Sequence, residues 1–88
     1  MDGHKFQLMD KVIVKDYGGA IPYFDRGLED VPEWARDKYM DGWYPETGYT
    51  GTVVAYCKPH RGRNTCAVLD LFHLFFIEEQ DLALCGGV

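Results

Sequence analysis

Short runs of mainly apolar residues recur along this chain between polar segments that contain glycine or proline, a pattern typical of β-strands. The clearest run is residues 52–57, Thr-Val-Val-Ala-Tyr-Cys, which Gly48 and Gly51 precede. Valine, threonine and tyrosine favour the extended backbone of a pleated sheet. Similar runs occupy residues 11–15, 65–71, 74–77 and 82–84. The pattern therefore predicts a mainly β protein with about five strands.

The segment between residues 57 and 65 predicts a hairpin. Pro59 lacks a donor for a strand ladder, and Gly62 suits a turn. A turn centred between Arg61 and Gly62 sets three facing pairs: Cys57 with Cys66, Ala55 with Val68, and Val54 with Leu69. Small and apolar residues then meet on both faces of the hairpin. This register predicts a curved sheet that is buried on one side and partly covered on the other.

The connection of residues 20–49 is too long for a plain loop in a small domain, so we expect secondary structure within it. Residues 30–33 have the spacing of a capping box, which predicts a helix of about three turns over residues 31–40. One face of this helix carries Val31, Ala35 and Tyr39. Because so short a helix needs tertiary contacts, we expect it to dock through Trp34, Tyr39 or Met40.

The remaining apolar positions predict one core and one further local element. Six side chains are expected to share that core: Val12, Val14, Val53, Val68, Phe76 and Leu82. Residues 78–81, Glu-Glu-Gln-Asp, suit a single 3₁₀ turn before the last strand. Residues 1–8 are interpreted as a loosely held lead-in, with Phe6 and Leu8 as candidates for packing on the sheet.

Length and charge limit the organisation of the chain. With 88 residues, it is interpreted as one domain, 1–88, with a helical insertion at about residues 20–46. The net charge of −5 is uneven, since residues 16–50 carry eight acidic and three basic side chains. Residues 51–70 carry three basic side chains and one acidic one. The acidic total argues against phosphate binding over the whole surface and leaves one small basic tip.

The cysteines and the absence of long apolar runs predict a cytoplasmic protein. The three cysteines are odd in number and form no Cys-x-x-Cys pair, so we expect reduced thiols. No apolar run approaches the roughly 20 residues of a membrane-spanning helix. The first residues contain no apolar stretch of the kind found in secretory signals. We therefore expect no membrane association.

Two short patterns carry a resemblance to a known class of domain. Residues 48–53 are similar to the G-x-x-G-x-V opening of KOW-type barrels, and residues 76–82 resemble the strand, 3₁₀ turn and strand that close many SH3-like domains. Over about residues 9–84 the order of elements resembles the SH3-like β-barrel. The resemblance implies a single small barrel of about five strands, in which the helix predicted above is an insertion in the first long connection. It also implies a binding module for peptides, protein surfaces or nucleic acid, and the fold alone does not choose among these.

Aromatic residues are the first candidates for a binding surface. Peptide-binding SH3-like domains meet their ligands through aromatic residues of the first long connection. In this chain Tyr17, Tyr44 and Tyr49 lie in that connection. The chain has no ALYDY-like sequence, so we do not expect a proline-rich ligand. The candidate partner-binding residues are Trp34, Tyr39, Trp43, Tyr44 and Tyr49. Tryptophan and tyrosine are favoured interface anchors, but the same side chains would equally serve to hold the insertion on the sheet.

The hairpin offers a second candidate surface. Lys58, Arg61 and Arg63 are candidate anion contacts, although lysine and arginine also keep an exposed turn soluble. A mixed thiol and imidazole set is present nearby, comprising Cys57, His60, Cys66 and His73. It lacks the second knuckle of a zinc site, so we read the thiols as small hydrophobic side chains and expect no metal and no cofactor.

These observations lead to one functional prediction and two alternatives. No nucleophile elbow or phosphate-binding loop is present, and His4, His60 and His73 have no partner at a recognisable spacing, so we do not expect an enzyme. We predict a non-catalytic protein-interaction module, whose acidic insertion favours a basic patch on the partner. The alternatives are a KOW-like nucleic-acid or ribonucleoprotein accessory domain that uses the hairpin 58–63, and a small subunit that stabilises a larger assembly. The sequence predicts no oligomeric state.

Overall fold

The computed structural model describes residues 3–16, 30–40 and 43–85 of the chain. The strands are β1 (Lys11–Val14), β2 (Thr50–His60), β3 (Arg63–Leu69), β4 (Leu74–Glu78) and β5 (Leu82–Leu84). A short helix, α1 (Glu33–Arg36), precedes β2, and a 3₁₀ turn (Glu79–Asp81) separates β4 from β5. The mainly β prediction is confirmed. Residues 17–29 and Gly42 lie outside the described residues, and with them Tyr17 and the first part of the predicted insertion.

All five strands belong to one antiparallel sheet, in the order β4-β3-β2-β1-β5. β2 is much longer than its neighbours because it pairs with β1 through its first residues and with β3 along most of its length. β1 lies between β2 and β5, with Val12 opposite both Gly51 and Leu84. A long shared strand of this kind lets one continuous sheet curl over a core.

The tip of the β2–β3 hairpin lies where the sequence predicts, but the register behind it is wrong. His60 pairs with Arg63, as a turn at residues 61–62 requires. Two irregularities in β2 then shift the pairing, the first between Cys57 and His60 and the second between Val53 and Ala55. The observed pairs are Cys57 with Thr65, Tyr56 with Cys66, Ala55 with Ala67, and Val53 with Val68. Cys57 and Cys66 therefore do not face each other.

Each irregularity has a local cause. Lys58 and Pro59 together oppose the single residue Asn64, which fits proline's restriction to bulges and strand edges. The hydroxyl of the fully buried Thr65 donates to the Lys58 carbonyl at 2.6 Å within this bulge. At the second site Val54 is the extra residue, so Val54 and Ala55 both turn to the face opposite Val53.

The inner cluster fills the concave side of the sheet. Its buried members are Phe6, Val12, Val14, Val53, Cys66, Val68, Phe75, Ile77 and Leu82. Strands from both edges of the sheet, β4 and β5, contribute to this one cluster, so the sheet is strongly curled. Five of the six predicted core residues belong to it. Phe76 does not, because side chains alternate along β4 and its neighbours Phe75 and Ile77 point inward.

The outer cluster covers part of the opposite face. Its buried members are Val31, Ala35, Val54, Ala55, Cys57, Ala67, Leu74 and Phe76, with Tyr39 and Leu69 packed against them. The predicted helix is shorter than expected and carries no side-chain cap. Residues after it leave the helix because Tyr39 forms a parallel bridge with Leu74, whose N–H donates to the Lys38 carbonyl at 3.0 Å. Of the predicted docking residues, Tyr39 packs on the sheet, whereas Trp34 and Met40 stay exposed.

The described part of the predicted lead-in, residues 3–8, is held against the sheet, contrary to the prediction of a loose segment. His4 Nδ1 lies 2.8 Å from the carboxylate of the buried Glu79, and the Lys5 N–H donates to the other oxygen of that carboxylate at 2.8 Å. The His4 ring stacks on Tyr56 with centroids 3.9 Å apart. Phe6 is buried as proposed, but Leu8 is exposed. These contacts satisfy a buried carboxylate that would otherwise be costly.

Candidate protein-binding face

The candidate site is a groove on the outer face of the sheet, beyond the part that the helix covers. Its floor is formed by the first residues of β2 with parts of β1 and β3: Lys11, Thr50, Gly51, Thr52, Val54 and Leu69. Met9, Trp34 and Leu71 form its walls, and Asp70 and Cys85 complete it. The groove holds about 490 Å³. We call it the outer groove.

Its three walls are large apolar side chains that face solvent. Met9 is 65% exposed, Trp34 62% and Leu71 80%. They come from three separate parts of the chain: a turn before β1, the helix α1, and the connection between β3 and β4. In α1 the adjacent Ala35 is fully buried in the outer cluster, so the helix anchors by one face and presents Trp34 from another.

The β3–β4 connection is a tight turn that Asp70 locks. The Asp70 N–H donates to the His73 carbonyl at 3.0 Å. One oxygen of the Asp70 carboxylate accepts from the N–H of Phe72 at 2.8 Å and from that of His73 at 2.6 Å. This is the arrangement that makes aspartate a turn residue. The apex residues Leu71 and Phe72 are therefore held out in solvent by a fixed backbone.

A network of polar and aromatic side chains supports that turn from below. The Tyr49 hydroxyl donates to the Asp70 carboxylate and lies 3.3 Å from His73 Nδ1. The His73 ring stacks on Trp43, with centroids 3.9 Å apart and nearly parallel planes. Trp43 and Tyr49 also pack edge to face with each other and against Phe75 of the inner cluster. The network ties the residues before β2 to the β3–β4 turn.

The ionisation of the network fits a structural role. Burial raises the pKa of Tyr49 to about 12, and its hydrogen bond to Asp70 and the negative charge of that carboxylate add to the rise. Burial acts to raise the pKa of Asp70. Its hydrogen bonds from Tyr49, His73 and Phe72, together with the nearby His73, outweigh that effect and hold the pKa below its usual value. At neutral pH the pair is thus a neutral phenol that donates to a carboxylate.

The predicted aromatic residues divide into two groups. Tyr39, Trp43 and Tyr49 are half-buried and pack against the two clusters. Trp34 and Tyr44 are exposed, and Trp34 lines the outer groove. The sequence analysis expected Leu8 to pack on the sheet, and it did not name Met9, Leu71 or Phe72 as candidate contacts. All four residues lie in turns or bends, and adjacent apolar residues in a turn, such as Leu71 and Phe72, are the signal that was available.

The predicted basic tip is present at the end of the hairpin. Arg61 and Gly62 have φ of +56° and +75°, the conformation of a type I′ turn. Lys58, Arg61 and Arg63 are exposed. Arg63 lies 3.5 Å from the Glu78 carboxylate of β4, which neutralises part of the basic surface. Anion binding there stays a prediction.

The two cysteines of the candidate thiol and imidazole set lie apart. Cys57 belongs to the outer cluster and Cys66 to the inner one, on opposite sides of the sheet. Burial, with the Glu79 charge and Cys57 as further causes, raises the pKa of the Cys66 thiol. Among residues 3–16, 30–40 and 43–85, no group of three histidine, cysteine or acidic side chains is placed to hold a metal ion.

Comparison of the chain with protein-family models, with curated proteins and with solved structures finds no match. Within the described part of the chain, no helix has the length and apolar character needed to cross a membrane.

Proposed function

We propose that the chain is a non-catalytic protein-interaction module with an SH3-like architecture. The architecture is supported by the strand order, by the long β2 that pairs on both sides, and by the 3₁₀ turn before β5. The inner cluster adds support because residues from both edge strands meet in it, as they do inside a small barrel.

The exposed walls of the outer groove carry the functional proposal. Met9, Trp34 and Leu71 each present more than half of a large apolar side chain to water around one depression. Contiguous apolar surface of this kind marks binding sites in soluble proteins, and tryptophan is the most enriched anchor. Among the described residues that line the groove, Lys11 and Asp70 alone are charged. Apolar contact rather than charge would therefore drive binding there.

The Tyr49–Asp70–His73 network favours binding over catalysis. A phenol with a pKa near 12 is a poor nucleophile and a poor base at neutral pH. Asp70 already accepts hydrogen bonds from a side chain and two backbone groups, so it has little capacity to serve a substrate. The network is best explained as the support that holds Leu71 and Phe72 in place.

A capture experiment with surface variants tests the proposal. Bait protein carrying Trp34→Ala or Leu71→Ser is expected to lose at least tenfold in affinity for partners captured by the wild type. Met40→Ser is the matched control, since Met40 is similarly exposed but does not line the groove. Trp43→Ala would be a poor probe because Trp43 packs against the inner cluster. Equal capture by all variants would contradict the proposal.

The nucleic-acid alternative is tested with the same protein. Labelled RNA and DNA are titrated at low and physiological salt against the wild type and Arg61→Asn. Asparagine suits the type I′ turn, so this variant removes the charge while keeping the hairpin. Three cations give a salt slope of at most about 3 on duplex DNA, and we expect weak binding. Tight binding that Arg61→Asn abolishes and Trp34→Ala leaves intact would favour the KOW-like alternative.

A further inference from the structure

The apolar surface extends beyond the outer groove on two sides. Leu8, 51% exposed, lines a neighbouring depression that shares Val54 with the groove. Phe72, 70% exposed, lines another that shares Thr50, Asp70 and Leu71 with it. The apolar face therefore consists of five large side chains in one connected region: Leu8, Met9, Trp34, Leu71 and Phe72.

We infer that this apolar face is where two copies of the chain meet. The inference rests on the proposed protein-binding function and names its partner. Aromatic side chains carry about 150–250 Å² each. If about 200 Å² is taken for each of the five residues, their exposures of 51–80% present roughly 650 Å² of apolar surface. The largest apolar patch of a typical monomer is about 300–600 Å². One side of a standard interface buries about 800 Å² in total, of which roughly two-thirds is apolar in homodimers. The face therefore supplies about the apolar area that one subunit of a homodimer buries.

The shape of the face favours a second copy over a linear peptide. A peptide in the groove would cover its floor and walls, but would leave the outward apex of Leu71 and Phe72 in water. The same face carries a convex apex beside a concave groove. A two-fold axis brings the apex of each copy into the groove of the other. One self-complementary contact therefore buries the apex and the groove of both copies.

The charges on the face are compatible with this pairing. Among the described residues, the groove and its two neighbouring depressions are lined by two basic side chains, Lys11 and Arg36, and by three acidic ones, Asp30, Glu33 and Asp70. The Asp70 carboxylate is already held by internal hydrogen bonds. Pairing therefore concentrates no single sign of charge at the contact. Each copy nevertheless carries −5 overall, so the copies repel each other at a distance. Salt screens that repulsion and leaves the apolar contact intact, so association should strengthen as salt is raised.

Cys85 provides a reporter at the contact. It lines the outer groove and is partly exposed, whereas Cys57 and Cys66 are buried. Its reaction with a disulfide reagent should slow as protein concentration rises, because the second copy covers it. The Cys85→Ser variant identifies the signal that belongs to this thiol.

Sedimentation equilibrium of the full chain from micromolar to millimolar concentration tests the inference. We expect the apparent mass to rise from that of one copy, 10.1 kDa, towards twice that value, with stronger association at higher salt. Leu71→Asp or Trp34→Ser should weaken association at least tenfold, because each of the two copies in the dimer loses an apolar anchor. Met40→Ser should leave association unchanged, and unchanged thermal melting of each variant would confirm that it folds.

Two results would overturn the inference. One is a single species of one-copy mass at millimolar concentration, and the other is a dimer that neither Leu71→Asp nor Trp34→Ser weakens. If the chain is monomeric but captured partners are lost with the same variants, the second-copy assignment is wrong and the protein-binding function stands. If the variants affect neither self-association nor capture, both proposals are wrong.

Discussion

Tyr49 shows how one residue can join the core to the candidate site. Its ring packs with Trp43 and Phe75 at the margin of the inner cluster, while its hydroxyl donates to Asp70 in the β3–β4 turn. The sequence singled out Tyr49 as a candidate contact for a partner. It did not predict the hydrogen bond by which Tyr49 supports the β3–β4 turn, because Asp70 lies far along the chain and only the fold brings Tyr49 and Asp70 together.

The paired Tyr49 and Asp70 predict a pH dependence of stability with two limits. The pKa of Tyr49 is raised from 10.0 to about 12, so its contribution to stability is complete below pH 10 and is lost as pH rises towards 12. The pKa of Asp70 is lowered, so its contribution is present above its ordinary value of 3.8 and is lost as pH falls below it. Thermal melting across pH should show both limits.

The Tyr49→Phe variant separates this effect from the titration of other groups. Phenylalanine keeps the ring packing but has no hydroxyl, so the variant should lose less stability than the wild type between pH 10 and 12. Tyr44→Phe is the control, since Tyr44 is exposed and should leave the profile unchanged. If wild type and Tyr49→Phe lose stability equally over that range, the hydroxyl contributes nothing to it.

At the scale of elements, the hairpin shows what a sequence pattern determines. Its tip was predicted correctly, because Gly62 is suited to a positive φ. Its register was not, because β2 contains two bulges. A bulge is visible in a sequence only when it disturbs an alternation of apolar and polar residues. Val53, Val54 and Ala55 are all apolar and both faces of β2 are buried, so no alternation was there to be disturbed.

The helix illustrates a competition between local and tertiary preferences. The capping-box spacing at residues 30–33 predicted about three turns, but α1 covers only Glu33–Arg36. The pattern of its buried face, Val31, Ala35 and Tyr39, was nevertheless correct. Tyr39 reaches the same cluster from an extended backbone paired with Leu74, and strand pairing there ends the helix early.

Close packing between β2 and β3 predicts that Gly51→Ala destabilises the sheet. A Cβ at Gly51 would lie 2.6 Å from Val68 Cγ1 and 3.1 Å from the Leu69 carbonyl oxygen. Val68 is fully buried and β-branched, so it has little freedom to move aside. We expect a loss of about 1–3 kcal/mol in the free energy of unfolding, measured by urea denaturation.

The Gly51 clash has a direct check in a double variant. Val68→Ala removes the methyl group that the new Cβ would meet, so Gly51→Ala should cost less in that background than in the wild type. Thr52→Ala, one residue along β2, is the control and should have a much smaller effect. An equal cost of Gly51→Ala in both backgrounds would mean that the strain lies in the backbone rather than in this contact.

For the whole molecule, the approximate number of strands and their positions along the chain were predictable, and the binding face was not. Strand runs and turn residues are local, and they gave the mainly β class, the 3₁₀ turn and most strand positions. Exposure is decided by what the fold places alongside a residue. Trp34 and Trp43 look alike in sequence, yet one lines the outer groove and the other packs on the inner cluster. Phe76 and Phe75 likewise differ only in which face of β4 they occupy.

The position of β1 between β2 and β5 has a consequence for the time course of folding. β2, β3 and β4 follow one another through short turns, so their contacts close small loops and can form early. Both strands that pair with β1 lie far along the chain from it, since Val12 pairs with Gly51 of β2 on one edge and with Leu84 of β5 on the other. We therefore expect the rate-limiting barrier to be crossed with the three-strand meander formed and β1 still unattached.

Stopped-flow kinetics of two matched variants would locate that barrier. Val12 and Val68 are both fully buried valines of the inner cluster, so Val12→Ala and Val68→Ala remove the same atoms from the same core. Val68→Ala should mainly slow folding, whereas Val12→Ala should mainly speed unfolding. The reverse assignment would mean that β1 is recruited first and the meander is completed around it.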